Sequence, residues 1–118
     1  MEWEGSERPD VTIEYDKLVR DRIPAIIDEN GEWPITHVAD DTEYERRLLD
    51  KLEEECTEVR DELTLEELAD VLEVIRALCT HEGWSLEELE ESRRQKAADR
   101  GGFDDRIVLE RVHERDPS

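Results

Sequence analysis

Positive charge is scarce in this sequence. Lys+Arg total 16 against 36 Asp+Glu, a formal net charge of -20, and lysine occurs only as Lys17, Lys51 and Lys96. A field of that sign repels nucleic-acid backbone and anionic membrane, which argues against a nucleic-acid-binding or membrane-surface role. Cysteine is scarce too. Cys56 and Cys79 belong to no CxxC motif or Cys/His array, and both fall at helical positions flanked by core residues, so they read as small buried hydrophobes. Long apolar runs are missing: none approaches the ~20 residues of a membrane span. The opening MEWEGSERPD lacks a basic region followed by an apolar stretch, unlike a secretory leader. The chain is expected to be soluble and cytosolic.

A length of 118 residues suits a single domain over 1–118, with a modest core that makes oligomerisation the natural expectation. The hydrophobic fraction of 36% is arranged periodically, so the acidity points to a folded acidic domain and not to disorder. The acidic excess runs from end to end while lysine is rare. That pattern suggests the cytoplasm of a salt-accumulating halophile, where ionic strength screens self-repulsion. The plainer alternative is an acidic protein that needs a cation.

Residues 1–10, with Gly5 and Pro9, are expected to form a mobile arm. A short extended piece follows in VTIEYDKLVRDRIP, and Pro24 in a first helical turn starts a helix over PAIIDEN, closed by Gly31. The alternating ITHVA at 35–39 reads as a short strand, with RIVLERV at 106–112 as its pairing partner. Asp40 with Glu43 marks the start of a longer helix whose inward stripe is Tyr44, Leu48, Leu52, Cys56 and Val59. Thr64 with Glu67 starts the next, with Leu65, Leu68, Ala69, Leu72, Ile75 and Leu78 as its apolar face, ending near Gly83. The short turn between these two implies antiparallel packing. Ser85 with Glu88 starts a fourth helix, running to about Arg100 with Leu86, Leu89 and Ala97 inward and broken by Gly101-Gly102. The expected fold is all-α: a bundle of about four helices with a minor β element, dimerised through apolar stripes that are wide for so short a chain.

Acidic residues crowd both middle helices. Glu55 and Glu58 stand three apart, as do Glu67 and Asp70, so each pair lies on one helix face about a turn apart. Antiparallel neighbours would bring the four carboxylates to one site. Like charges so placed repel, and desolvation worsens the repulsion, unless a divalent cation neutralises them. Carboxylate-only ligation favours a hard ion, Mg²⁺ or Mn²⁺, over zinc. The plain reading, solvated glutamates on an acidic surface, competes with this one.

The motifs EECTE (Glu54, Glu55, Glu58) and ELAD (Glu67, Asp70) resemble the EExxE and ExxD signature of the all-α nucleoside triphosphate pyrophosphohydrolase superfamily, which includes MazG-like enzymes and phosphoribosyl-ATP pyrophosphohydrolase. YDKLVRDRIP (Tyr15 to Pro24) and KAADRGGF (Lys96 to Phe103) resemble the ends of a small subgroup labelled phosphoribosyl-ATP pyrophosphohydrolase-like. The similarity covers roughly residues 12–112. It implies Mg²⁺-dependent hydrolysis between the α- and β-phosphates of a nucleotide, giving a monophosphate and pyrophosphate. It further implies Glu55, Glu58, Glu67 and Asp70 as metal ligands, with Glu54 either a ligand or the group orienting the attacking water. Glu73, one turn beyond Asp70, is a weaker candidate.

Cationic groups should hold the phosphates that the metal does not. Lys17, Arg20, Lys96 and Arg100 are the candidates, because they lie in the two end motifs of a lysine-poor chain; Phe103 is placed to stack on a base or to join the core. The alternative from another class is a non-catalytic helical module that binds nucleotide or protein without turnover.

Overall fold

The computed structural model describes residues 12–115; the arm expected at residues 1–10 lies outside them. Helix α1 spans Ile23–Glu29, with Pro24 in its first turn and no intrahelical donor lost to it. Gly31, at φ 86°, turns the chain out of the helix, a left-handed conformation that glycine adopts without steric cost. Helix α2 spans Asp41–Asp61, capped by the Asp40 side chain, which accepts from the Glu43 N–H. Helix α3 spans Leu65–Glu82, capped in the same way by Thr64 and closed by Gly83 in the left-handed region. Helix α4 spans Leu86–Arg100 and carries a complete capping box, Ser85 and Glu88 each serving the other's backbone N–H. Each of these caps contributes about 1 kcal/mol.

Only three residues separate α2 from α3, and the two helices pack along each other. Tyr44 and Glu45 near the start of α2 meet His81 at the end of α3, the Tyr44 and His81 rings standing edge to face. Glu55 late in α2 meets Glu67 and Asp70 early in α3. The pair is therefore an antiparallel hairpin, as the short turn implied.

The hairpin's inner faces differ from the expected stripes. Leu48, Val74 and Cys79 are the buried apolar side chains among the described residues, joined by Glu55 at 6% exposure. Cys56 points outward. The reason is phase: Glu55 stands seven residues from Leu48 and nearly shares its line along the helix, whereas Cys56 is turned about 80° away. On α3, Val74 faces α2, but Leu65, Leu68 and Leu72 are exposed, lying roughly 120–180° around the helix from it. Helix α3 thus carries two apolar faces, and α2 covers one.

No strand forms among the described residues. The segments expected to pair, 35–39 and 106–112, run unpaired, with Ile35, Val38, Ile107 and Val108 all more than four-fifths exposed. Alternation and β-branching suit a strand, but a ladder needs a neighbour to accept and donate its hydrogen bonds. Helix α4 contacts α3 and does not contact α2. Its leucines Leu86 and Leu89, expected inward, are exposed, and only Ala97 of the helix is half-buried.

Candidate functional site

The KLVRD segment is tied across the hairpin by ion pairs between residues far apart in the chain. The Arg47 guanidinium donates to the Asp16 carbonyl at 2.7 Å and to its carboxylate at 2.8 Å. These bonds hold Asp16 at φ 47°, a left-handed conformation that costs a non-glycine residue about 1–2 kcal/mol. The turn thereby delivers the next cations to the acidic helices. Lys17 Nζ lies 3.1 Å from Glu54 Oε2, and Arg20 Nη2 lies 2.6 Å from Asp70 Oδ1.

Five acidic residues converge there. Oxygens of Glu54, Glu55 and Glu58 lie within 4.8 Å of one another, as do oxygens of Glu55, Glu67 and Asp70, so Glu55 is common to both groups. Helix periodicity supplies each set and the antiparallel hairpin joins them. Burial deepens toward the centre: Glu58 is exposed, Glu54, Glu67 and Asp70 are half-buried, and Glu55 is buried.

A third cation takes part that the end motifs did not signal. Lys51 Nζ sits 3.2 Å from Glu55 Oε2 and 3.4 Å from Glu54 Oε1. Its position three and four residues before two motif glutamates, in a chain with so few lysines, was the available clue. With Lys17 and Arg20 it leaves the five carboxylates two formal negative charges in excess.

The protonation preferences follow from this arrangement. Burial works to raise the Glu54 carboxyl, but hydrogen bonds and charge from Lys17 and Lys51 outweigh it and hold the group below the ordinary carboxylate range. The same hydrogen bond raises Lys17 above its usual value. Glu67 is pushed upward, by burial first and then by the neighbouring Glu58, Asp70 and Glu55. Its Oε2 is buried and has no hydrogen-bond partner.

A buried carboxylate oxygen without a partner, on a residue whose carboxylate lies among others, is costly in a metal-free protein. The donor set is all oxygen and the excess charge is two, which fits a hard divalent cation such as Mg²⁺ or Mn²⁺. Glu73 takes no part in either group of converging oxygens; it lies 4.0 Å from Arg76.

The second set of expected phosphate ligands stands apart. Among the described residues neither Lys96 nor Arg100 forms an ion pair with a cluster carboxylate, and Phe103 is 96% exposed. The ion pair formed by Arg100 is with its neighbour Asp99 at 3.9 Å. Among the described residues, Lys17, Arg20 and Lys51 are the cations at the carboxylates.

No protein-family model, curated protein or solved structure matches this chain.

Proposed function

We propose that the protein is a Mg²⁺-dependent nucleotide pyrophosphohydrolase, acting on a nucleoside triphosphate or phosphoribosyl-ATP as a homodimer in a salt-rich cytoplasm. The observation that carries this reading is the pooling of carboxylates from α2 and α3 in two groups that share Glu55, one of them including Glu67, whose Oε2 is buried without a hydrogen-bond partner. Glu55, Glu58, Glu67 and Asp70 would hold the ion, and Mn²⁺ could replace Mg²⁺. An ion held by these residues would supply neutralisation of phosphate charge and activation of water.

Glu54 is suited to a different task from its neighbours. Both of its oxygens already receive lysine hydrogen bonds, so it stays ionised and orients a water by accepting a further bond. Lys17 and Arg20 are the groups that can turn from carboxylate to phosphate, since both are substantially exposed and each loses little on leaving a solvent-screened pair. Addition of water across the α–β bridge then gives a monophosphate and pyrophosphate.

The test is pyrophosphate release from a panel of nucleoside triphosphates and phosphoribosyl-ATP in molar KCl, with Mg²⁺ and with EDTA. Metal-dependent release is expected. Silence across the panel from demonstrably folded protein overturns the catalytic reading and leaves the binding module.

A further inference from the structure

Residues 12–19 form no backbone–backbone hydrogen bond among the described residues and belong to no helix or strand. Side chains hold this strap to the hairpin instead. Lys17 pairs with Glu54 and Arg20 with Asp70, at 3.1 Å and 2.6 Å, and Arg47 clamps Asp16 through its carbonyl and its carboxylate. The first two ties draw on carboxylates of the cluster. The third does not: among the described residues Arg47 pairs with Asp16 and Glu43 and with no cluster carboxylate.

Arg47 is itself held in one orientation. Its side chain is 15% exposed although that of Asp16 is 81% exposed. Three of its donors are engaged, Nη1 and Nη2 by Asp16 and Nε by Glu43 at 3.1 Å, and His37 Nε2 stands 2.9 Å from the same Glu43 oxygen. A rigid guanidinium fork can span the carbonyl and the carboxylate of one residue, whereas a lysine ammonium is a point charge. Asp16 sits at φ 47°, and a non-glycine residue stays in that region only where its surroundings over-determine it. A cavity of about 40 Å³ is lined by Asp16 and Arg47 together with Lys17, Lys51 and Glu54, so clamp and cluster border the same space.

We propose that Arg47 is a positioning residue: by clamping the Asp16 turn it fixes how closely Lys17 and Arg20 stand to the carboxylates, and so weakens the cluster's hold on a divalent cation while strengthening its hold on an anionic ligand. The role of the anion rests on the nucleotide reading; the placement of the strap does not. Arg20 and a bound cation compete for Asp70, and the clamp keeps the local concentration of Arg20 high. Where the cation prevails, the Arg20–Asp70 pair is lost and the clamp remains, so Lys17 and Arg20 stay beside the cluster, free to meet a phosphate. Loss of Arg47 therefore moves the two affinities in opposite directions, which a general loosening of the fold does not do.

Full-length Arg47→Ala and Arg47→Lys, each with wild-type helix content by circular dichroism, test this with Mn²⁺ alone and then with inorganic pyrophosphate at saturating Mn²⁺. Mn²⁺, followed by electron paramagnetic resonance, should bind about two- to fivefold more tightly in both variants, the scale of one exposed ion pair. Pyrophosphate, followed by calorimetry, should bind about tenfold more weakly, the scale of one hydrogen bond to a charged group. Turnover of whichever nucleotide is cleaved should show a raised KM with kcat nearly kept. Asp16→Asn retains both acceptors and tolerates the left-handed turn, so it should stay near the wild type, whereas Asp16→Val should reproduce Arg47→Ala.

Weakening of both ligands together, unchanged constants in Arg47→Ala, or an Asp16→Val indistinguishable from the wild type overturns the proposal. If the wild type binds neither Mn²⁺ nor pyrophosphate, the nucleotide reading fails and the affinity claim with it; the placement of the strap is then decided by trypsin. Cleavage after Lys17 should quicken severalfold in Arg47→Ala while cleavage after Arg76, inside α3, keeps its wild-type rate. An unchanged rate at Lys17, or equal gains at both sites, overturns the clamp as well.

Discussion

The α2–α3 hairpin and helix α4 are both rich in charged residues and use them differently. In the hairpin, charges find partners across the fold: Lys17 reaches Glu54 and Arg20 reaches Asp70, 37 and 50 residues away. In α4 the strong pairs are local, Arg93 with Glu90 and Arg94 with Glu91. Local pairs add about 0.2–0.5 kcal/mol each to a helix and select no tertiary neighbour. Long-range pairs place chain segments against one another. A helix furnished only with the first kind is stable as a helix, but its ion pairs do not direct it to a tertiary neighbour.

The largest effects should come from the carboxylates. Glu55→Gln or Asp70→Asn is expected to lower turnover by about two to three orders of magnitude, measured as pyrophosphate release, while circular dichroism shows an intact fold. Wild-type turnover in either variant would separate the cluster from the chemistry. The same substitutions in α4, for example Glu90→Gln, should leave the carboxylate site untouched.

Next in size is the contrast in packing. Leu48 is 2% exposed, so Leu48→Ala should cost about 2–5 kcal/mol in denaturant unfolding. Leu89→Ala, at a position 38% exposed, should weaken association in sedimentation while shifting hairpin unfolding by much less. Equal losses from both would show that α4 belongs to the same packed core.

Metal linkage should be smaller. Mg²⁺ at about 100 times its dissociation constant stabilises a folded protein by roughly 2.7 kcal/mol, seen as a rise in Tm that EDTA reverses. In Glu67→Gln that rise should shrink, whereas the metal-free Tm should increase, because a desolvated carboxylate repelled by Glu58, Asp70 and Glu55 has become neutral. A lower metal-free Tm would mean that Glu67 is held by attractions and not strained by repulsions.

The smallest effect concerns the start of α2. The His37 hydrogen bond, opposed by desolvation and supported by Arg47, holds the Glu43 carboxyl below its ordinary range. A depressed carboxylate contributes stability above its unfolded pKa and loses it as pH falls through the folded one. In His37→Ala the Glu43 titration, followed by NMR, should move upward. An unmoved titration would assign the depression to Arg47.

Much of this architecture was legible in the chain because its signals are local. Asp40, Thr64 and Ser85 cap the helices they were expected to cap, and three-residue spacing put Glu55 with Glu58 and Glu67 with Asp70. Other features were illegible for a common reason. An apolar pattern fixes which residues can face a neighbour but not which neighbour they meet, so a helix with two apolar faces, like α3, has two valid phases. The strands at 35–39 and 106–112 failed similarly, since a strand is defined by its partner. Lys51 was overlooked because its value lies in what Glu55 faces.

By itself, the sequence determined the helices, their ends and the acidic pairs on them, through capping chemistry and a period of 3.6 that act over a few residues. Only the tertiary structure decided that Glu55 turns inward while Cys56 turns out, that Lys17, Lys51 and Arg20 gather at the carboxylates, and that Lys96, Arg100 and Phe103 do not. Those outcomes depend on which faces meet across the hairpin, a choice made by burial and charge pairing over tens of residues of separation.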